Sequence, residues 1–477
     1  MKKILCLLAL FLTLSCNNSF IELRPVDTVS TDVLYQTEGD FTDAVIGVYN
    51  VFISQYKNMY LFGDVRADDS YDETVKFIAS YVDLFTINND ESLLSNTWNN
   101  YYSIIYRANL ILAEIEDKDV SAVPNKDRHI GEAKFLRALA YFDLVRIFGN
   151  VPMITKPITI EESFQARRED VANVYSQVII PDLLDAESKL PAQYPSADVG
   201  RATQGAAKAL LGKVYLTIHD FQQAETKLME VTKMGYALLP DYNELFRYVN
   251  EHHSEYIFDI EYEEGGIGLG NNFTNDFTPK DPRLLEFYGV TGPGNDINSP
   301  PRHLFDLFPP GDLRKDITVA DGFVNENGDF IPIIPSGNNS STFTKKYLIP
   351  TKVSGDSPAN WKVIRYADVL LMLAEALNEN GKADEAIPYL NQVRERAGLE
   401  GYSNLGQDEL RELIYLERRL ELSFEGHRWF DLVRTGRAFE VMEPYGMKAH
   451  MWVFPVPLSQ VQVVNDPSIF PQNPGYD

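Results

Sequence analysis

Few residues of this 477-residue chain stand at spacings that could do chemistry. Cys16 is one: it follows Met1-Lys2-Lys3, an apolar run from Ile4 to Leu14, and the small Ser15. That order reads as an export signal, because eleven residues, all but Thr13 apolar, behind a positive start are too few to span a bilayer as a stable helix. Cleavage before Cys16 frees an amine beside its thiol, and two or more acyl chains there would hold a soluble domain on a membrane. Thr13 and Leu14 depart from the usual acylation pattern, while Ser15 fits it. Cys6, the only other cysteine, lies in the removed part, which leaves the mature chain without a disulfide or a thiol nucleophile. His427 and Asp431, four residues apart, would share a helix face as an acid/base or metal pair. They lack the further ligands or opposed partner that such sites need, and no HExxH pattern is present. The alternation of Glu417, Arg418, Arg419, Glu421, Glu425 and Arg428 reads instead as an ion-paired network holding a helix against its neighbours. Gly265-Gly266-x-Gly268-x-Gly270 is not followed by the Lys-Ser/Thr of a phosphate loop and reads as a flexible turn. The pair His252-His253 has no metal spacing, and 69 acids make close carboxylate pairs inevitable, so counting them says nothing about glycoside hydrolysis. No catalytic residue, metal or cofactor is expected.

The elements that must position any site are helical. Leu211-Gly212-x-x-Tyr215 with Ala224, Leu228 and Val231 repeats in Leu373-Ala374-x-x-Leu377 with Ala386, Leu390 and Val393, residue for residue. This is tetratricopeptide spacing: small residues let two helices approach and a leucine fills the groove between them. Ile105, Ala108, Leu112 and Ile115, answered by the apolar stretch from Ala133 to Phe148, predict a further pair. These hairpins are scattered, so the chain is not a plain solenoid. Between Glu261 and Pro350 it turns rich in Gly, Pro, Asn and Asp, yet keeps Phe273, Phe277, Phe287, Tyr288, Phe305, Phe308, Phe323 and Phe330. Disordered segments avoid aromatics, so this region is expected to be a folded, loop-rich subdomain laid over the helices. The predicted organisation is a signal over 1–15, a tether over 16–30, a helical part over 31–260, the loop-rich part over 261–350 and a C-terminal helical part over 351–477. The formal charge is -26, and loss of Lys2 and Lys3 with the signal makes it -26 - 2 = -28. A chain that acidic repels phosphate backbones and anionic lipid, which argues against nucleic acid as a partner and leaves neutral ligands unpenalised.

Five ordered segments resemble the SusD/RagB family. They are Gly131 to Phe142 running into Phe148-Gly149-Asn150-Val151-Pro152; Ala206 to Leu211; Ile364 to Met372; Glu417 to Leu422 with Phe424 to Leu432; and the ending Gln472-Asn473-Pro474-Gly475-Tyr476. Each alone is a weak helix pattern, but the set in order is specific. The resemblance implies a mostly α fold of tetratricopeptide-like hairpins with a loop-rich insertion. It also implies a non-catalytic lipoprotein, anchored through Cys16 to the outer face of an outer membrane. There it would bind oligosaccharide and act as the lid of a TonB-dependent barrel of the SusC type.

Glycan recognition needs an aromatic ring for the apolar face of a sugar and amides, carboxylates or Arg for its hydroxyls. Trp98 and Asn100, in Trp98-Asn99-Asn100-Tyr101-Tyr102, offer that set. Arg66, Asp69 and Tyr71, with Asp64 and Asp68, form a second cluster in a region from which family ligand sites draw. Tyr288, Asn295 and Phe323 in the loop region, and Trp361, are further candidates. Two other classes fit the same sequence: a peptide- or protein-binding tetratricopeptide scaffold, and a surface glycosidase using loop carboxylates.

Overall fold

The structure is a computed structural model that describes residues 34–72, 78–335 and 341–476. The signal, Cys16 and the tether over 16–30 lie outside the described residues. The chain is mostly helical, as expected. Helix α1 (Glu38–Tyr56) starts on a capping box, in which the Thr37 hydroxyl accepts from the Asp40 amide and the Asp40 carboxylate accepts from the Thr37 amide. Helices α2 (Ser92–Ile115) and α3 (Lys126–Phe148) follow as the predicted pair, with Ile105, Ala108 and Ile115 buried. The second half of α3 is buried nearly all round, the state of a helix at the centre of a large core, and α1, α2 and α4 (Ile180–Lys189) surround it. Among the described residues no helix is long and apolar enough to cross a membrane.

The internal repeat is real in three dimensions. Helices α5 (Gln204–Thr217) and α6 (Phe221–Val231) form one hairpin, α7 (Tyr366–Glu379) and α8 (Ala383–Arg396) the other, and every repeated apolar position is buried. Gly212 marks the close approach: a Cβ there would stand 2.5 Å from the Leu228 side chain. Helix α6 packs directly on α7, and Asn380 and Lys382 both reach Glu225 across the join. The superhelix is therefore continuous in space although its hairpins are distant in sequence. The intervening chain leaves through strand β1 (Tyr256–Ile260) and returns through β4 (Trp361–Arg365). These two strands pair antiparallel, with Tyr256 opposite Arg365 and Ile260 opposite Trp361. Between them the loop-rich part holds short helices and a hairpin of β2 (Gly322–Val324) and β3 (Phe330–Pro332). It has a small core of its own around Leu284, Phe323, Ile333 and Phe343.

A buried ionic cluster ties this part to helix α9 (Gln407–Leu422) and the turn after it. Glu421 lies between Arg365 (2.6 Å), Arg314 (2.9 Å) and Arg396. Glu425 binds Arg365 (2.7 Å) and Lys346 (2.6 Å). With Glu255, Glu417, Asp312 and Arg394 included, five cations face five carboxylates, and charge is balanced in a largely buried setting. Although burial alone would raise it, Arg365 and Lys346 hold the Glu425 carboxyl down to about 2. The predicted network is thus present, and it reaches well beyond its own helix. His427 and Asp431 belong to its edge rather than to an acid/base pair. Burial and the neighbouring Lys213 push His427 down to about 3, while Arg418 and Arg434 overcome the burial of Asp431 and hold it ionised.

Candidate functional site

Two of the predicted clusters converge at a seam between the helical part and the loop-rich part. After α1 the chain makes one wide helical turn, Leu61–Val65, and then runs through Arg66 to Tyr71. The loop Asp296 to Ser299, with Asp296 and Asn298 at positive φ, docks on it. Tyr71 and Ser299 exchange backbone hydrogen bonds (3.1 and 3.0 Å), and the Ser70 hydroxyl donates to the Asn298 amide oxygen (2.6 Å). From the other side come α9 and the short helix α10 (Arg428–Arg434). Arg419 grips Asp69 with Nε at 2.8 Å and reaches Asp68 with Nη2 at 2.7 Å, while Arg428 Nε donates to Asp68 at 2.8 Å. The guanidiniums of Arg428 and Arg419 overcome the burial of Asp68 and hold its carboxyl below its ordinary value. His303 and Tyr445 complete the surface: a ring nitrogen of His303 lies within 4.8 Å of both carboxylates, and Tyr445 is 47% exposed. Asp68, Asp69 and His303 have the donor types of a cation site, but both carboxylates are already taken by guanidiniums that a metal would have to displace.

Beneath the seam Asp64 is buried, accepting from the Gly426 amide (2.8 Å) and facing the Asn298 amide. Burial pushes its carboxyl up to about 8. The folded protein therefore keeps a proton that the unfolded chain releases near pH 4. That contribution to stability is complete below about pH 4 and is lost as pH rises through about 8. Asp64→Asn, which stands in for the protonated acid, is expected to flatten this fall. Urea midpoints at pH 5, 7 and 9 should show wild type losing ground to the variant at each step, and parallel curves would remove Asp64 from the account.

The other candidates lie elsewhere. Trp98 is 3% exposed and packs on Tyr102, Phe148 and Phe470, so most of its ring is core, and it borders with Asn99, Tyr102 and Tyr106 a separate cleft of about 250 Å³. Asn100 donates to Gln55 (3.2 Å) between α1 and α2. Arg66 is also a core residue: its guanidinium lies 3.8 Å over the Phe85 ring and 4.6 Å from that of Phe454, and Nη1 donates to the Val82 carbonyl. Burial lowers its pKa to about 10, which leaves it charged at neutral pH. Phe323 is buried in the small core beside the half-buried Tyr288, and Trp361 stacks on Tyr347. Asn295 donates to Asp276 (2.8 Å) in the loop that forms the seam. Aromatic residues here went inside, as aromatic residues usually do. Sequence reasoning misses His303 and Tyr445, because nothing in their sequence neighbourhood says that two distant loops meet at Asp68.

Over residues 219–476 the chain matches the family model described as the SusD family, and over 20–216 the one described as starch-binding associating with outer membrane. A SusD-like protein of Formosa agariphila is 29% identical over 524 residues, covering 95% of each chain. Another from Bacteroides ovatus is 27% identical over 461 residues, covering 88% of this chain and 79% of its own. Among solved structures, a laminarin-binding SusD-like protein superposes with a TM-score of 0.80 at 32% identity, covering 93% of this chain and 100% of its own. Surface glycan-binding protein A from Bacteroides thetaiotaomicron, in complex with laminarihexaose, superposes with a TM-score of 0.76 at 20% identity over 92% of this chain and 99% of its own, a likeness of fold.

Proposed function

The chain belongs to the SusD/RagB family, and from that premise we propose a surface lipoprotein that captures oligosaccharide and passes it, unbroken, to a TonB-dependent barrel of the SusC type. The observation that carries this reading is the agreement along nearly the whole chain with a laminarin-binding SusD-like protein. We assign ligand capture to the seam. Its exposed Tyr445 offers a ring face, and His303 offers a directed polar group beside a fixed ionic floor. Flat rings with a few placed polar groups are what a neutral sugar requires. Joining two parts of the fold also suits the seam to a lid, since relative movement of rigid bodies is concentrated where they meet.

Calorimetric titration of the mature chain with laminarihexaose, maltohexaose and other oligosaccharides tests the reading. Saturable binding is expected, weakened about threefold to tenfold by Tyr445→Ala, with no shorter sugar released. Binding of peptides but of no carbohydrate would overturn the ligand class. Hydrolysis abolished by a single Asp or Glu substitution would overturn the non-catalytic role. A SusC-type barrel is expected to co-purify from solubilised outer membranes, whereas recovery of soluble partners alone would favour the scaffold reading.

The anchor has its own test. Cys16→Ala should yield a folded, sugar-binding protein in the soluble fraction that no longer supports uptake. Membrane attachment that survives the substitution rules out Cys16 as the anchor.

A further inference from the structure

A cleft of about 510 Å³ opens between the loop before α5, the turn after α6 and the start of β1, and it shares no lining residue with the seam. Three tyrosines from these three segments, Tyr194, Tyr236 and Tyr256, form its walls. Two are held in place by their neighbours. The Tyr236 hydroxyl lies so close to Gly205 that a Cβ there would stand 2.2 Å from it, and Tyr256 is held at the side by a T-shaped contact with His252 of the rim, ring centres 5.0 Å apart. Rings already held in place lose little freedom when a ligand arrives. The charged groups of the rim are occupied: Arg201 binds Glu132 with both Nε (2.6 Å) and Nη2 (2.7 Å) and Asp198 at 2.9 Å, and His252 is bonded to Glu261. No unmatched charge is left to draw an ion. The Tyr194 hydroxyl, by contrast, is shielded from water and has no hydrogen-bond partner among the described residues. Buried hydroxyls are nearly always bonded, and a small turn of the Tyr194 ring toward the cleft would give this one a ligand hydroxyl as its partner.

We propose that this cleft is a second carbohydrate site, taking a single hexose unit with its apolar face on the tyrosine rings and a hydroxyl on Tyr194 Oη. The proposal rests on the reading of the protein as a glycan binder and places part of that binding away from the seam. Its size falls within the range of small-molecule sites, and its neutral, ring-bearing walls match an uncharged polyhydroxylated ring better than a phosphate or a carboxylate.

Saturation-transfer NMR with methyl β-D-glucoside, methyl α-D-mannoside and methyl β-D-galactoside tests the cleft apart from the seam. At least one glycoside is expected to give a signal in the wild type. Ser254→Trp, which sets a bulky ring at the exposed mouth, should abolish it, and Tyr194→Phe should weaken binding about threefold to tenfold. Tyr445→Ala should leave it unchanged. Retained laminarihexaose or maltohexaose binding by Ser254→Trp shows that this variant is folded. A glycoside signal that survives Ser254→Trp, or that disappears in Tyr445→Ala, overturns the cleft. So does hexasaccharide binding with no glycoside signal at all, which leaves the seam reading intact. If neither hexasaccharide nor glycoside binds, the glycan reading fails and the cleft with it.

Discussion

Replacing Glu421 by Ala is expected to lower the free energy of unfolding by about 3–5 kcal/mol, the range seen when one member of a buried ionic group is removed. Arg314, Arg365 and Arg396 all direct a guanidinium at this one carboxylate, and none of the four side chains is more than 4% exposed. Its loss leaves three cations with fewer counter-charges in a dry interior, where each uncompensated charge costs far more than its pairing supplied. Glu412→Ala is the control, because its partner Arg437 is 39% exposed and such pairs contribute about 0–1 kcal/mol. Urea unfolding of the two variants should separate them clearly. Equal midpoints would mean that water reaches the Glu421 cluster.

Gly63→Ala is expected to be the second severe change, costing about 1–3 kcal/mol or more and weakening sugar binding at the same time. A Cβ at position 63 would stand 2.3 Å from the Gly426 carbonyl oxygen and 2.5 Å from its Cα. Both obstacles are backbone, so no side chain can swing aside. Gly426 cannot retreat easily, for it sits at φ +76, where only glycine is unstrained, and Trp361 stands behind it. Relief must come from parting the Leu61–Val65 turn from the Phe424–His427 turn, which moves Asp68 away from Arg428. Gly39→Ala, on the exposed start of α1 with its nearest neighbour 3.7 Å away, should be neutral or slightly stabilising. Thermal unfolding together with oligosaccharide titration reads both effects. Normal binding in a destabilised Gly63→Ala would separate the seam from this contact.

The helical half of the fold was legible because its information is local. The repeated Leu211 and Leu373 patterns report their own period, and small residues at 212, 224, 374 and 386 report helix contact wherever the partner lies. The ionic character of Glu417 to Arg428 was equally legible, but its partners were not. Arg314, Lys346 and Arg365 come from the insertion and its return strand, and a charge pair leaves no periodic trace of who its partner is. The site was harder for the same reason. Asp69 and Tyr71 meet at the seam and Asn295 lies just before the loop that docks there, whereas Trp98, Arg66 and Phe323 have the same chemistry and are buried. Residue type alone does not distinguish a ring that stacks on a sugar from one that stacks on phenylalanine. Topology makes that distinction, and here it depends on a glycine contact between residues 63 and 426.

The pairing of β1 with β4 makes the loop-rich part exchangeable. Its two ends enter and leave the helical stack side by side, so segments of quite different length and specificity could be transplanted between relatives at that neck without lengthening or straining the scaffold. The graft would carry one condition. Arg314 and Lys346 lie inside the transplanted segment while Glu421 and Glu425 stay behind, so a donor that lacks a cation at either place brings a new specificity to a scaffold it can no longer neutralise.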